Sequence, residues 1–250
     1  MRPAVVCGGK LQLGQPDQRY GYITMLTQTS QGLVAVDSRR GQRDHLVMVN
    51  AEGQREPLAI AVTGTSNAPV ADKNGSLFYT AYDTTSQRFV VQKQTKPGSE
   101  ETIWHGSVAT VFTVGLSADG RVAVPIMPTN PAASGPLPGE IDLVNEPGKV
   151  ASRLTSLPGI PVDIYWLSDR TLLVRFDVSK TAAADYLVPL DGGRATAFGG
   201  NWLSLCSTSH GIVLARLDGT VGLLPPAATT SSAVTVMGKL ERFPLSCAAI

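Results

Sequence analysis

Four aspartates, Asp37, Asp83, Asp177 and Asp218, each close an apolar run at equivalent points along the chain, with Pro128 at the matching point of a fifth run. A carboxylate in such a place accepts hydrogen bonds from backbone N–H groups two residues on and turns the chain without any ligand. Aligned on one surface, the same groups would make an acidic rim for a basic partner or a cation. Asp72 and Asp163 adjoin a different set of apolar runs and form the alternative, a pair of axial ligands. Two carboxylates can hydrolyse a glycoside when suitably spaced, but aromatic residues make up only 6% of the chain, and sugar sites need stacking surfaces. His45, His105 and His210 share no spacing, and no His-Glu-x-x-His pair, phosphate-cradling glycine loop or Gly-x-Ser-x-Gly elbow occurs. Ser117 has a nucleophile-like setting between Gly115 and Gly120 but no histidine fixed near it. The residues assign no catalytic group, no metal and no cofactor.

A second feature is proline. Residues 125–140 contain Pro125, Pro128, Pro131, Pro136 and Pro138. Proline holds a loop extended and lowers the entropy lost on docking. Met127, Pro128, Asn130, Pro131, Pro136 and Leu137, with Asp37, Asp83 and Asp177, are therefore the expected contacts for a protein partner. Residues 179–184 read as a smaller insertion on the same surface.

The whole chain of 250 residues, 43% apolar and 16% charged, can bury the core of one domain. A net charge of +1 provides no field to gather polyanions, so nucleic acid is not an expected partner. No apolar stretch reaches the roughly 20 residues of a membrane span, and the N-terminus lacks the basic segment and apolar core of a signal peptide. The compartment stays open between cytoplasmic and mature secreted or periplasmic.

What must position these residues is a repeat. Apolar runs at residues 22–26, 68–71, 111–116, 162–167 and 202–206 each open a four-run pattern that returns at a period of roughly 39 to 52 residues. Period-two alternation marks the runs as half-buried strands. Gly53, Gly98, Gly148 and Gly192 or Gly193 fall at the turn between third and fourth runs, where a tight hairpin needs φ > 0. With 17 prolines and 25 glycines no sustained helical spacing survives. Trp104, Trp166, Trp202 and Cys206 sit on strand runs and read as core.

The segment Leu116-Ser117-Ala118-Asp119-Gly120-Arg121-Val122 resembles the S-x-D-G-R turn of propeller repeats related to TolB and WD40 proteins, and Leu167-Ser168-Asp169-Arg170 is a shortened form of it. No repeat ends in Trp-Asp. The resemblance implies a fold and no activity. Repetition and resemblance together predict an all-β, six-bladed β-propeller. Five complete four-stranded blades cover residues 22–62, 68–105, 111–155, 162–199 and 202–238, and the sixth is shared by residues 4–13 and 243–250. In that shared blade Cys7 and Cys247 could form a disulfide that locks the ring. The expected function is a scaffold binding a protein partner or larger assembly through one loop-bearing face. The alternative is a small-ligand receptor or a hydrolase or lyase using the axial funnel.

Overall fold

The computed structural model describes residues 4–7, 10–13, 22–29, 32–38, 44–49, 55–62, 69–83, 85–96, 98–106, 109–110, 113–128, 139–179, 182–208 and 210–240. Before Pro69 the described side chains are those of Val34, Leu46, Val47, Met48 and Leu58.

All regular structure there is β apart from one short 3-10 turn, Ser231–Ala233. β1 (Ala4–Cys7) and β2 (Lys10–Leu13) form an antiparallel pair. The first repeat is β3 (Tyr22–Thr29), β4 (Gly32–Ser38), β5 (Asp44–Val49) and β6 (Arg55–Val62), and the second is β7 (Val70–Ala71), β8 (Leu77–Asp83), β9 (Arg88–Gln94) and β10 (Glu100–Gly106). In the third, β11 (Ala109–Thr110) and β12 (Gly115–Leu116) both pair with β13 (Val122–Pro128), followed by β14 (Glu140–Glu146) and β15 (Lys149–Leu154). The fourth is β16 (Ile160–Ser168), β17 (Thr171–Ser179), β18 (Ala182–Pro189) and β19 (Thr196–Ala197). The fifth is β20 (Leu203–Thr208), β21 (Gly211–Ala215), β22 (Thr220–Leu224) and β23 (Thr235–Lys239). Every repeat is an antiparallel sheet in chain order, four of them with four strands and the third with β11 in addition.

The turns follow local chemistry. Gly98, Gly148 and Gly192 adopt positive φ at the third-to-fourth turns, as the spacing requires. In the S-x-D-G-R turn the Ser117 hydroxyl accepts from the Arg121 N–H at 2.7 Å and donates to Asp119, while Ser117 and Arg121 also pair through their backbones. Arg121 then crosses to the fourth repeat, where it binds Asp169 at 3.1 Å and lies 4.7 Å above the Trp166 ring. The motif thus ties two neighbouring sheets together, and the Ser117 hydroxyl is occupied within its turn.

Successive sheets stack face to face with an apolar layer between each pair. Val34 and Leu46 meet Leu77 and Tyr79; Phe78, Val91 and Trp104 meet Val122, Val124 and Val144. Ile141 and Leu143 meet Leu172, Val174 and Phe176; Leu173 and Leu167 meet Trp202, Ile212 and Leu214. Because β17 is covered on both faces, Leu172, Leu173, Val174 and Phe176 are all fully buried and its apolar run does not alternate. Each such side chain contributes about 2 kcal/mol by leaving water.

Three local expectations need correction. Of the insertion expected at residues 179–184, Ser179 ends β17 and Ala182, Ala183 and Ala184 open β18, so its described residues are strand. Asp218 does not end a strand, since β21 stops at Ala215 and Asp218 lies in the following turn. Cys206 is not a plain core thiol but is disulfide-bonded. A register shift between Ser204 and Cys206 interrupts the alternation from which a core position was inferred. The expected bond between Cys7 and Cys247 lies outside the described residues.

Candidate functional site

Antiparallel order places the turn between second and third strands at the same end of each sheet as the connection to the next repeat. Asp83, Asp177 and Asp218 belong to that end. Asp83 accepts from the Thr85 N–H at 2.9 Å and the Ser86 hydroxyl at 2.6 Å, and these bonds, Ser86 foremost, hold its carboxyl below the usual range. Asp218 accepts from the Thr220 N–H at 2.9 Å, which lowers it likewise. Both therefore do the turn-forming work that such spacing allows without a ligand. Asp177 lies exposed in β17, opposite Ala183. Asp37 lies in β4, its side chain outside the described ones. Met127, half-buried, and Pro128 close β13 opposite Thr110 and Ala109. Asn130, Pro131, Pro136 and Leu137 lie outside the described residues, as does Cys247, and Cys7 is described only as backbone of β1.

Between the fourth and fifth repeats this end opens into a groove of about 780 Å³. One wall is the start of β18, Ala183 to Asp185; the other is the turn Arg216, Leu217 and Asp218. Gly199, Gly200 and Asn201, all with positive φ, bend the connecting chain around Trp202. A Cβ on Gly200 would stand 2.8 Å from the Trp202 ring, so only glycine lets the bend close. Arg216 is fixed 4.2 Å above that ring and donates to the Gly200 carbonyl at 2.9 Å. Leu217, 78% exposed, is left projecting at the mouth.

Behind the groove the two sheets enclose a charged cluster. Arg175 binds Asp163 at 2.9 Å and approaches Asp185 at 3.7 Å, too far for a hydrogen bond, while Asp185 accepts from the Ser204 N–H at 2.6 Å. Asp185 Oδ1, the Ser204 hydroxyl and two nitrogens of Arg175 are buried without hydrogen-bond partners. Two carboxylates thus face one guanidinium, with Tyr165 packed alongside. Burial pushes Asp185 up to about 6 against the pull of Arg175 and Ser204, and burial raises Asp163 too. Because the folded state binds the Asp185 proton more tightly than the unfolded chain, this group favours folding below pH ~4, and that contribution is lost as pH rises through about 6. A shift of this size amounts to about 3 kcal/mol. Urea midpoints should accordingly rise between pH 7.5 and pH 5 in the wild type and rise less across that range in Asp185→Asn, where Asp163 remains. Equal slopes in the two proteins would contradict the assignment.

Asp72 and Asp163 do not share an arrangement. Asp72 accepts from the Asn74 and Ser76 N–H groups, both at 2.8 Å, and forms the turn before β8. Asp163 belongs to the cluster with Arg175. Among the described residues no group of three or more His, Cys, Asp or Glu is placed to hold a metal ion, and no helix is long and apolar enough to cross a membrane. Sequence reasoning missed Asp185, Arg216 and Leu217. The signal that could have found Asp185 is its position directly opposite Arg175 on the neighbouring strand.

The sequence matches no protein-family profile and no curated protein. Solved structures do resemble the fold. TolB from Acinetobacter baumannii aligns with a TM-score of 0.59 at 14% identity, over 83% of this chain and 52% of that one. The chain therefore spans about half the length of that TolB. A gluconolactonase from Xanthomonas campestris aligns at 0.55 and 13% identity, over 88% and 84% of the two chains. YCF48 bound to D1 peptide aligns at 0.51 and 11%, over 89% and 70%. Stacked antiparallel sheets and these likenesses define the class of the chain as a β-propeller, similar to TolB. Identities this low carry the fold alone.

Proposed function

We propose that this propeller is a non-catalytic scaffold that binds a protein partner, or a larger assembly, through the end bearing the groove, the aspartate turns and the segment 127–137. The observation that carries this is the groove itself: a recess between two sheets whose walls mix alanine and glycine with Asp185, Arg216 and Asp218, and with an exposed leucine at its rim. Loops set on a rigid sheet frame are where propellers make contact. The likeness to YCF48, whose structure holds a peptide, agrees with it. In the full reading the propeller has six blades, with residues 4–13 and 243–250 sharing the sixth. Met127, Pro128, Asn130, Pro131, Pro136 and Leu137 make contact beside Asp37, Asp83 and Asp177. The Cys206 disulfide fits an oxidising compartment. The alternative of an axial site for a small ligand, at Asp72 and Asp163, gains nothing from the separate contacts those residues make.

Alanine replacement across residues 127–137 should reduce capture of the native partner about tenfold or more while moving the thermal midpoint little. Unchanged capture would remove the assignment.

A further inference from the structure

We infer that the groove is a strand-addition site for an extended segment of the partner with alternating basic and apolar residues, an inference that rests on the partner-binding role proposed above.

The outer strand of the fourth repeat is short. β19 pairs with only Tyr186 and Leu187 of β18, and the Phe198 N–H closes onto the Asp185 carbonyl at 2.9 Å before the chain leaves for the fifth repeat. Among the described residues nothing pairs with the outer edge of the first residues of β18, which borders the groove. The Asp185 carbonyl points outward, so by the two-residue repeat of a strand the N–H and C=O of Ala183 point outward as well. Ala182, Ala183 and Ala184 have the smallest side chains a strand normally carries, and a second backbone can approach them closely. An added strand at this edge would continue the place that β19 leaves empty, which is peptide recognition by β-augmentation.

Register then sets the occupant's chemistry. Ala183 stands opposite Asp177, and both face the fifth repeat, as do Leu173 and Arg175. A residue added opposite Ala183 would sit about 10 Å from Asp177 across a single methyl group, within reach of lysine or arginine. Asp218 waits on the facing wall. Neither acid makes a close ion pair among the described residues, although Asp218 also accepts the Thr220 N–H. No ion pair of Asp177 is found among the described residues, and Lys239 approaches Asp218 only at 3.7 Å with both side chains mostly exposed. Arg216, held on Trp202 and Gly200, acts on the Asp218 carboxyl only through space and pairs with neither acid. The methylenes of a basic side chain would cover Leu217. On the opposite face the row runs from Phe176 through Ala184, beside Tyr186, so alternate residues of the occupant should be apolar.

The test uses a fluorescein-labelled hexapeptide of alternating lysine and valine, followed by anisotropy with the whole protein. Saturable binding is expected, lost on N-methylation of one alternate set of residues and kept on N-methylation of the other. Hydrogen exchange should slow across residues 182–185. Asp218→Lys and Leu217→Lys, both at exposed positions, should each weaken binding about tenfold, and a glutamate–valine hexapeptide should not bind. Absence of saturable binding, or equal binding of both N-methylated peptides, overturns the inference. If the hexapeptide fails while partner capture still depends on residues 127–137, strand addition is wrong and the scaffold role stands. If the hexapeptide binds as expected while capture ignores 127–137, the loop assignment alone falls.

Discussion

Asp142→Ala should lower the unfolding free energy by about 3 kcal/mol, although the residue sits within β14 and not in a loop proposed to bind a partner. Its carboxylate is wholly buried. It accepts the Trp104 indole N–H at 2.9 Å across the second and third repeats and holds Arg153 with bonds of 2.6 and 2.9 Å. Alanine would leave the indole N–H without an acceptor in a dry layer, where an unmade hydrogen bond costs about 1–3 kcal/mol. Arg153, half exposed and also 3.1 Å from Glu140, can turn to water, so its loss is the smaller part. Asp142→Asn keeps an acceptor for Trp104 and should cost about half as much. Denaturant midpoints decide the matter: both variants within about 0.5 kcal/mol of wild type would show that this contact does not join the sheets.

Breaking the Cys206 disulfide should cost slightly more. The loop it closes is about 40 residues if the partner is Cys247 and about 200 if it is Cys7, for which chain entropy gives about 4 and about 5 kcal/mol. Cys206→Ser should therefore unfold at the same denaturant concentration as the reduced wild type and well below the oxidised protein. Peptide mapping without reductant should find Cys206 joined to a terminal cysteine and the third thiol free. A wild-type midpoint indifferent to reductant would contradict the bridge.

The strands were legible because alternation and turn glycines are local signals. The run 141–144 and the turn at Gly148 can be found with no knowledge of the neighbouring sheet, and β14 and its turn follow them. What failed was set by partners distant in sequence. The start of β18 carries three alanines, residues of low strand propensity, and is held as strand by its pairing with β17. Cys206 looked like core because alternation was carried through a bulge that only the pairing with β21 reveals. The aspartate turns showed in the sequence as a regularity, and their structural role at Asp83 and Asp218 is the ordinary one for that residue type. The groove was hidden because its walls come from three segments, the start of β18, residues 199–203 and residues 216–218, none of which bears a motif. Asp185 is a single polar residue in a period-two pattern. Burial against Ser204 and Arg175, which belongs to tertiary structure, makes it unusual.

The scaffold account predicts that one end of the stacked sheets does the binding. Its most direct test is partner capture by the 127–137 replacement beside an exposed control at the opposite end, where Asp191, Gly192 and Gly193 form the turn after β18. Loss of the partner with the first replacement and full retention with alanine at Asp191 and serine at Gly193 is the predicted result. Retention with the first and loss with the second would place the binding surface at the other end and contradict the account.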